Sequence, residues 1–100
     1  MAQIIWTEPA LQELDEIADY ISLDNPNAAR KLIRSVFKRV AQLREHPKSG
    51  KSVEDLEGSI YRRLLVSPCQ IFYREENNRV YIIHIIRDEQ FLHLDILRMR

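Results

Sequence analysis

The segment Val80-Tyr81-Ile82-Ile83-His84-Ile85-Ile86 is apolar at both parities of an extended chain, with His84 its one polar member. Successive side chains of a strand point to opposite faces, so this pattern asks for cover on both sides of a sheet. A chain of 100 residues is long enough for one compact domain and no more, which predicts a single domain over residues 1–100. Within it, helices can cover one face of the strand. The second face falls to the C-terminal segment or to another protein.

The rest of the chain supplies the helical layer. Residues 2–6 read as a short strand, with Ile4, Ile5 and Trp6 all strand-favouring. Thr7 then caps a helix whose first turn holds Glu8 and Pro9 and whose apolar stripe is Leu11, Leu14, Ile17, Ala18 and Ile21. Asn25-Pro26 stops it and starts a second helix, striped by Ala29, Leu32, Ile33, Val36, Phe37, Val40 and Leu43. The spacing predicts helices over 8–22 and 26–45, with Leu14, Ile17, Ile33, Val36, Phe37 and Val40 in the core. So short a connection makes them an antiparallel αα-hairpin.

Residues 47–58 carry loop chemistry and both glycines. Strand-like runs follow at 60–66, 70–74 and 80–87, joined by the turn signals Ser67-Pro68 and Glu76-Asn77-Asn78. Residues 88–98 are expected to form a short helical segment capped by Asp88. The order predicts an α+β fold, with the hairpin packed on one face of a mainly antiparallel sheet.

Composition excludes several classes. Hydrophobic residues at 45% and charged residues at 30%, with two glycines and four prolines, exclude a disordered or low-complexity chain. No apolar run approaches the ~20 residues of a membrane span, and the N-terminus lacks the features of a signal peptide. A cytoplasmic protein is expected. Cys69 stands alone, which leaves no internal disulfide and no cysteine-based zinc site. No cofactor or metal is expected.

Fifteen basic and fifteen acidic residues give a net charge of zero, against the basic excess usual in proteins that grip nucleic acid. The charges are nevertheless segregated. Residues 1–29 hold six acids and no Lys or Arg, and residues 30–51 hold eight bases and one acid. Arg30, Lys31, Arg34 and Lys38 form the outer side of the second helix, where pairing with the acidic first helix is the plain expectation and a phosphate backbone the functional alternative.

Arg62, Arg63, Arg74 and Arg87 fall on strands, where an arginine seeks an anion or a carbonyl. His46 suits a helix C-terminus, His84 reads as a satisfied core histidine, and His93, with Asp95 near it, is the histidine best placed for acid–base work. No Ser-His-Asp order, glycine-rich phosphate loop or metal-spaced carboxylate pair is present.

The segment Ile5-Trp6-Thr7-Glu8-Pro9-Ala10-Leu11, followed by Asp15-Glu16-Ile17-Ala18-Asp19-Tyr20-Ile21, resembles the opening of ParE-like toxins of the RelE/ParE superfamily. Pro47-Lys48-Ser49-Gly50-Lys51 is similar to that family's Pro-x-x-Gly-Arg stretch, Tyr61-Arg62-Arg63-Leu64 and Ile71-Phe72-Tyr73-Arg74 to its central strands, and the run 80–87 to its last. The resemblance implies the toxin of a type II toxin–antitoxin pair, neutralised by a ParD-like antitoxin and touching DNA only through it.

Two targets come with it. ParE-like members inhibit DNA gyrase without catalysis, and RelE-like members cut messenger RNA on the ribosome. Arg62 matches the strand arginine shared by both branches. Lys51 stands where a loop arginine is usual, Gln90 where many relatives have Arg, and the chain closes on Arg98-Met99-Arg100 with no terminal tyrosine. The expectation is therefore a gyrase inhibitor that is not an enzyme, with Arg62, Arg74, Arg87 and His93 meeting the target. Tyr81, Ile83, Ile85 and Phe91 are expected to meet the antitoxin. Ribosome-dependent cleavage is the alternative.

Overall fold

The computed structural model describes residues 1–53 and 60–88. In chain order these form β1 (Gln3–Trp6), α1 (Glu8–Ser22), α2 (Pro26–Ala41), a 3-10 turn (Gln42–Arg44), β2 (Lys51–Ser52), β3 (Tyr61–Val66), β4 (Cys69–Glu76) and β5 (Arg79–Arg87). The strands make one sheet in the order β1-β5-β4-β3-β2. β1 runs parallel to β5, and the other pairings are antiparallel. The two helices pack together as a hairpin, α1 against β5 and α2 against β3.

Both helix starts follow the sequence. The Thr7 hydroxyl accepts from the Ala10 N–H at 3.3 Å, and the Asn25 side chain accepts from the Ala28 N–H at 3.0 Å, so each satisfies a donor that the helix leaves unpaired. Pro9 and Pro26 occupy first-turn positions, where no N–H is needed. Thr7 does more than cap: its hydroxyl donates to the Ile82 carbonyl at 2.6 Å, tying the start of α1 to β5. The hairpin between β4 and β5 turns at Asn77 and Asn78, both at positive φ (52° and 61°), a conformation asparagine tolerates better than most residues.

Leu14, Ile17, Val36 and Val40 are buried as expected, together with Ala10, Leu32 and Leu43. Ile33 is only half-buried. Phe37 departs further, being 42% exposed and leaning on the Trp6 ring at 4.8 Å. The buried stripe of α2 runs Ala29, Leu32, Val36, Val40, and Phe37 lies about 100° round the helix from Val36. It therefore faces the seam with α1 and not the sheet. The α-helix stops at Ala41 and tightens into the 3-10 turn, short of the expected residue 45. The expected helical segment 88–98 lies, beyond Asp88, outside the described residues.

β5 is covered on both faces. Val80, Ile82 and Ile85 join the core beneath the helices, whereas Ile83 and Ile86 pack with Phe72 on the other side, bordered by Val53, Tyr61 and Tyr81. A register shift opposes Phe72 to His84 and Tyr73 to Ile82. Ile83 is the extra residue, and this bulge lets Ile82 and Ile85 share a face although they are three apart.

Truncating Leu43, which is fully buried, should cost about 2–5 kcal/mol. Phe37→Ala should cost about 1–2 kcal/mol, from its ring contact and partial burial alone. Urea titrations of the two variants should separate them clearly.

Candidate functional site

The strand register sorts the arginines by face. Arg62 pairs across the sheet with Tyr73 and, through it, Ile82, which places it on the helix side at the β3 edge. Arg74 pairs with Tyr61 on one neighbour and Tyr81 on the other, giving a Tyr-Arg-Tyr row on the opposite face. Arg87 pairs with Cys69, on the helix side again. It is separated from the Arg62 row by four residues of β4, about 13 Å of strand. The structure does not bring the three together.

Each has local work. One guanidinium nitrogen of Arg62 donates to the carbonyls of Lys48 at 3.2 Å and Gly50 at 2.9 Å. Arg74 approaches Glu76 at 3.5 Å, with its guanidinium 4.4 Å from the centre of the Tyr81 ring. The Arg87 guanidinium lies 4.6 Å from the centre of the Tyr20 ring, so it joins the end of β5 to α1. Arg62 is half-buried, and its hold on the loop supplies the carbonyl partners that an arginine on a strand was expected to seek.

That loop is the most constrained feature at this edge. The Tyr73 hydroxyl donates to the Pro47 carbonyl at 2.8 Å and accepts from the Gly50 N–H at 2.9 Å. With Arg62, it ties down four backbone groups between residues 47 and 50. Gly50 must be glycine because of this approach: a Cβ there would lie 2.5 Å from the Tyr73 hydroxyl and 2.8 Å from the Arg63 carbonyl. Burial raises the Tyr73 pKa, opposed by the Gly50 hydrogen bond and the Arg62 charge. Tyr73 and Gly50 went unread as partners because they are 23 residues apart and neither breaks a local pattern.

His84 is 4% exposed, as a core histidine should be, but it is satisfied on one side only, since its Nε2 has no hydrogen-bond partner among the described residues. Its Nδ1 lies 3.0 Å from the Glu13 carboxylate, which also accepts from the Ile85 N–H at 3.2 Å. β1 ends opposite Ile82, so Glu13 takes over the edge of β5 where its neighbouring strand stops. Glu13 is a further residue the sequence reading missed, counted there only among the six acids of residues 1–29.

Of the residues assigned to the antitoxin, Ile83 and Ile85 are buried inside the chain itself, and Tyr81 is half-buried beside Arg74. Phe91 and His93 lie outside the described residues. Arg30 bonds to Asn27 of its own helix. Among the described residues, neither it nor Lys31, Arg34 or Lys38 forms an ion pair with α1, so the expected cross-helix pairing is not made. No group of three or more potential metal ligands occurs among the described residues, and none of their helices is long and apolar enough to cross a membrane.

Residues 4–90 match the family model described as the ParE toxin of the type II toxin–antitoxin system, parDE. The chain belongs to this family. Toxin RelE2 of Caulobacter vibrioides is 33% identical over 86 residues, covering 85% of this chain and 93% of that protein. Protein Y4kP of Sinorhizobium fredii is 43% identical over 49 residues, 49% of this chain and 51% of Y4kP, so the match spans about half the length of that relative. Among solved structures, a chain of the chromosomal ParDE system from P. aeruginosa superposes with a TM-score of 0.69 at 26% identity, over 87% of this chain and 96% of that one. The hairpin on a five-stranded mixed sheet is thus the fold of a ParDE component, and the chain is a type II toxin of the ParE/RelE superfamily.

Tyr73→Phe should cost about 1–3 kcal/mol, by leaving the Pro47 carbonyl and Gly50 N–H unpaired in a buried place. The parent should also lose stability as pH rises past about 10, the ordinary tyrosine value. There the unfolded chain releases the phenolic proton that the folded chain still holds, so the unfolded state binds fewer protons and stability falls with pH. Thermal melts across that range should show a shallower alkaline decline for Tyr73→Phe than for the parent.

Proposed function

We propose that this ParE-family toxin acts by binding DNA gyrase, without catalysis of its own, in the bacterial cytoplasm, and that a ParD-like antitoxin neutralises it. The observation that carries the reading is the dispersal of the arginines. Cleavage of RNA asks for cations converging on one phosphate beside an acid–base pair. Here Arg62 and Arg74 occupy opposite faces, and Arg87 lies about 13 Å of strand from the Arg62 row. A target gripped over a broad surface tolerates such spacing, because a few well-placed arginines dominate protein interfaces.

The likeness to a ParDE structure supports an antitoxin partner. Ile83 and Ile85 are buried within the chain itself, which favours other surface for that antitoxin. If it orders on binding, calorimetry should show a markedly negative heat-capacity change. DNA contact comes through the antitoxin. Kinship with Toxin RelE2 favours a second reading, ribosome-dependent cleavage of messenger RNA.

Purified toxin should inhibit gyrase supercoiling and leave messenger RNA intact on translating ribosomes. Arg87→Ala is an informative variant when its melting temperature is read beside its activity, since loss of the Tyr20 ring contact by itself should cost about 0.5–1 kcal/mol of stability. It should weaken gyrase inhibition by about tenfold or more. Arg62→Ala should lower both activity and melting temperature, because hydrogen bonds made by a charged donor to Lys48 and Gly50 are lost with it. RNA cut by the parent, with gyrase untouched, would give the function to the second reading.

A further inference from the structure

The outer seam of the helical hairpin is left open. A groove of about 180 Å³ runs between α1 and α2, lined by Leu11, Leu14, Asp15, Ile33 and Phe37. Leu11 and Phe37 are each 42% exposed along it. The α1 bank carries exposed Glu8, Asp15 and Asp19, and the α2 bank carries exposed Arg30, Arg34 and Lys38. None of these six charges forms an ion pair among the described residues. An apolar seam with an acidic bank, a basic bank and no pairing between them is half of a charge-matched contact.

We infer that this groove is a self-association surface, and that its occupant is the same groove of a second copy of the chain. The charge pattern selects the symmetry. A closed dimer of identical faces needs a two-fold axis in the plane of contact. An axis across the helices would set α1 on α1 and acid on acid. An axis parallel to the helices sets α1 of each copy on α2 of the other, acid on base throughout. The groove is lined by Asp15 on one side and by Ile33 and Phe37 on the other, which sets Asp15 near the height of Arg34; Asp19, one helical turn on, is then level with Arg30, whereas Glu8, about two turns back, passes about one turn beyond Lys38. Under the parallel axis Asp15 comes over the partner's Arg34, Asp19 over its Arg30, and Leu11 over its Phe37. Every such pair is made twice. The apolar area is small and the charges are at the rim, so the dimer belongs among weak, salt-sensitive interfaces.

Sedimentation velocity of the full chain, free of antitoxin, tests this over a concentration series at about 50 mM and about 500 mM salt, where the Debye length shrinks roughly threefold. The parent should dimerise reversibly in the micromolar range and shift toward monomer at the higher salt. Asp15→Arg and Arg34→Asp, singly, should each weaken dimerisation by about tenfold or more, since each places two like-charge contacts in the interface. The double variant, with the charges exchanged, should recover it. Circular dichroism melts report whether each variant is folded, and the salt response of the parent stands as a test if one is not. A parent that stays monomeric at low salt overturns the inference, as does a dimer indifferent to salt and to both reversals. Reversals that spare self-association but weaken capture of a ParD-like antitoxin would also overturn it and assign the groove to the antitoxin.

Discussion

The domain is organised by β5 and by the demand that its backbone and both its faces be satisfied at once. β4 pairs along its length, but β1 covers only the stretch opposite residues 79–82. Beyond Ile82 the open edge would leave N–H groups unpaired in a buried place, an arrangement that proteins avoid. Two side chains of the helical layer close it. Thr7 bonds to the Ile82 carbonyl, and the Glu13 carboxylate takes the Ile85 N–H and His84. The histidine ring and the Ile85 N–H are costly to leave unpaired in a buried place, and the half-buried Glu13 carboxylate that meets them holds α1 at one height over the sheet. The position of α2, and with it the outer seam, follows from that.

The opposite edge of the sheet solves the same problem in another way. β2 has only two residues and cannot hold a loop by strand pairing alone. Tyr73 and Arg62, from the body of the sheet, reach out and bind the backbone of residues 47–50 directly. The arginine that carries the family resemblance thus serves folding as well as any target. Activity lost on replacing it measures both, and only a stability measurement on the same variant separates them. Arg87 rests on an exposed tyrosine of α1, and the same paired measurement applies to it.

Much of this was legible in the sequence because it is local. The two N-caps, the helical stripes, the asparagine turn and the doubly apolar strand each occupy a few consecutive residues and have one physical reading. Phe37 was misplaced because a stripe read at i, i+3 and i+4 is wider than the face the sheet covers, and its margin falls in the seam between helices. Ile33 is half-buried for the same reason. What local pattern could not supply is the pairing of distant residues. Glu13 with His84 spans 71 positions, Gly50 with Tyr73 spans 23, and the bulge at Ile83 exists only relative to β4. The site suffered most, because a strand arginine announces that it needs a partner without saying which.

The charge segregation along the chain has a consequence for how such a protein meets others. Acids on α1 and bases on α2 would cancel if the helices paired them, and the chain would then present a neutral surface. The apolar residues Leu11, Ile33 and Phe37 along the seam separate the two banks, and both remain solvated. The chain is therefore neutral in sum and strongly dipolar in surface, a combination that orients an approaching partner without attracting polyanions indiscriminately. Zero net charge disfavours general binding to nucleic acid, whereas ordered charge favours one docking geometry over others. For a chain that docks on a specific partner, the second property matters more than the first.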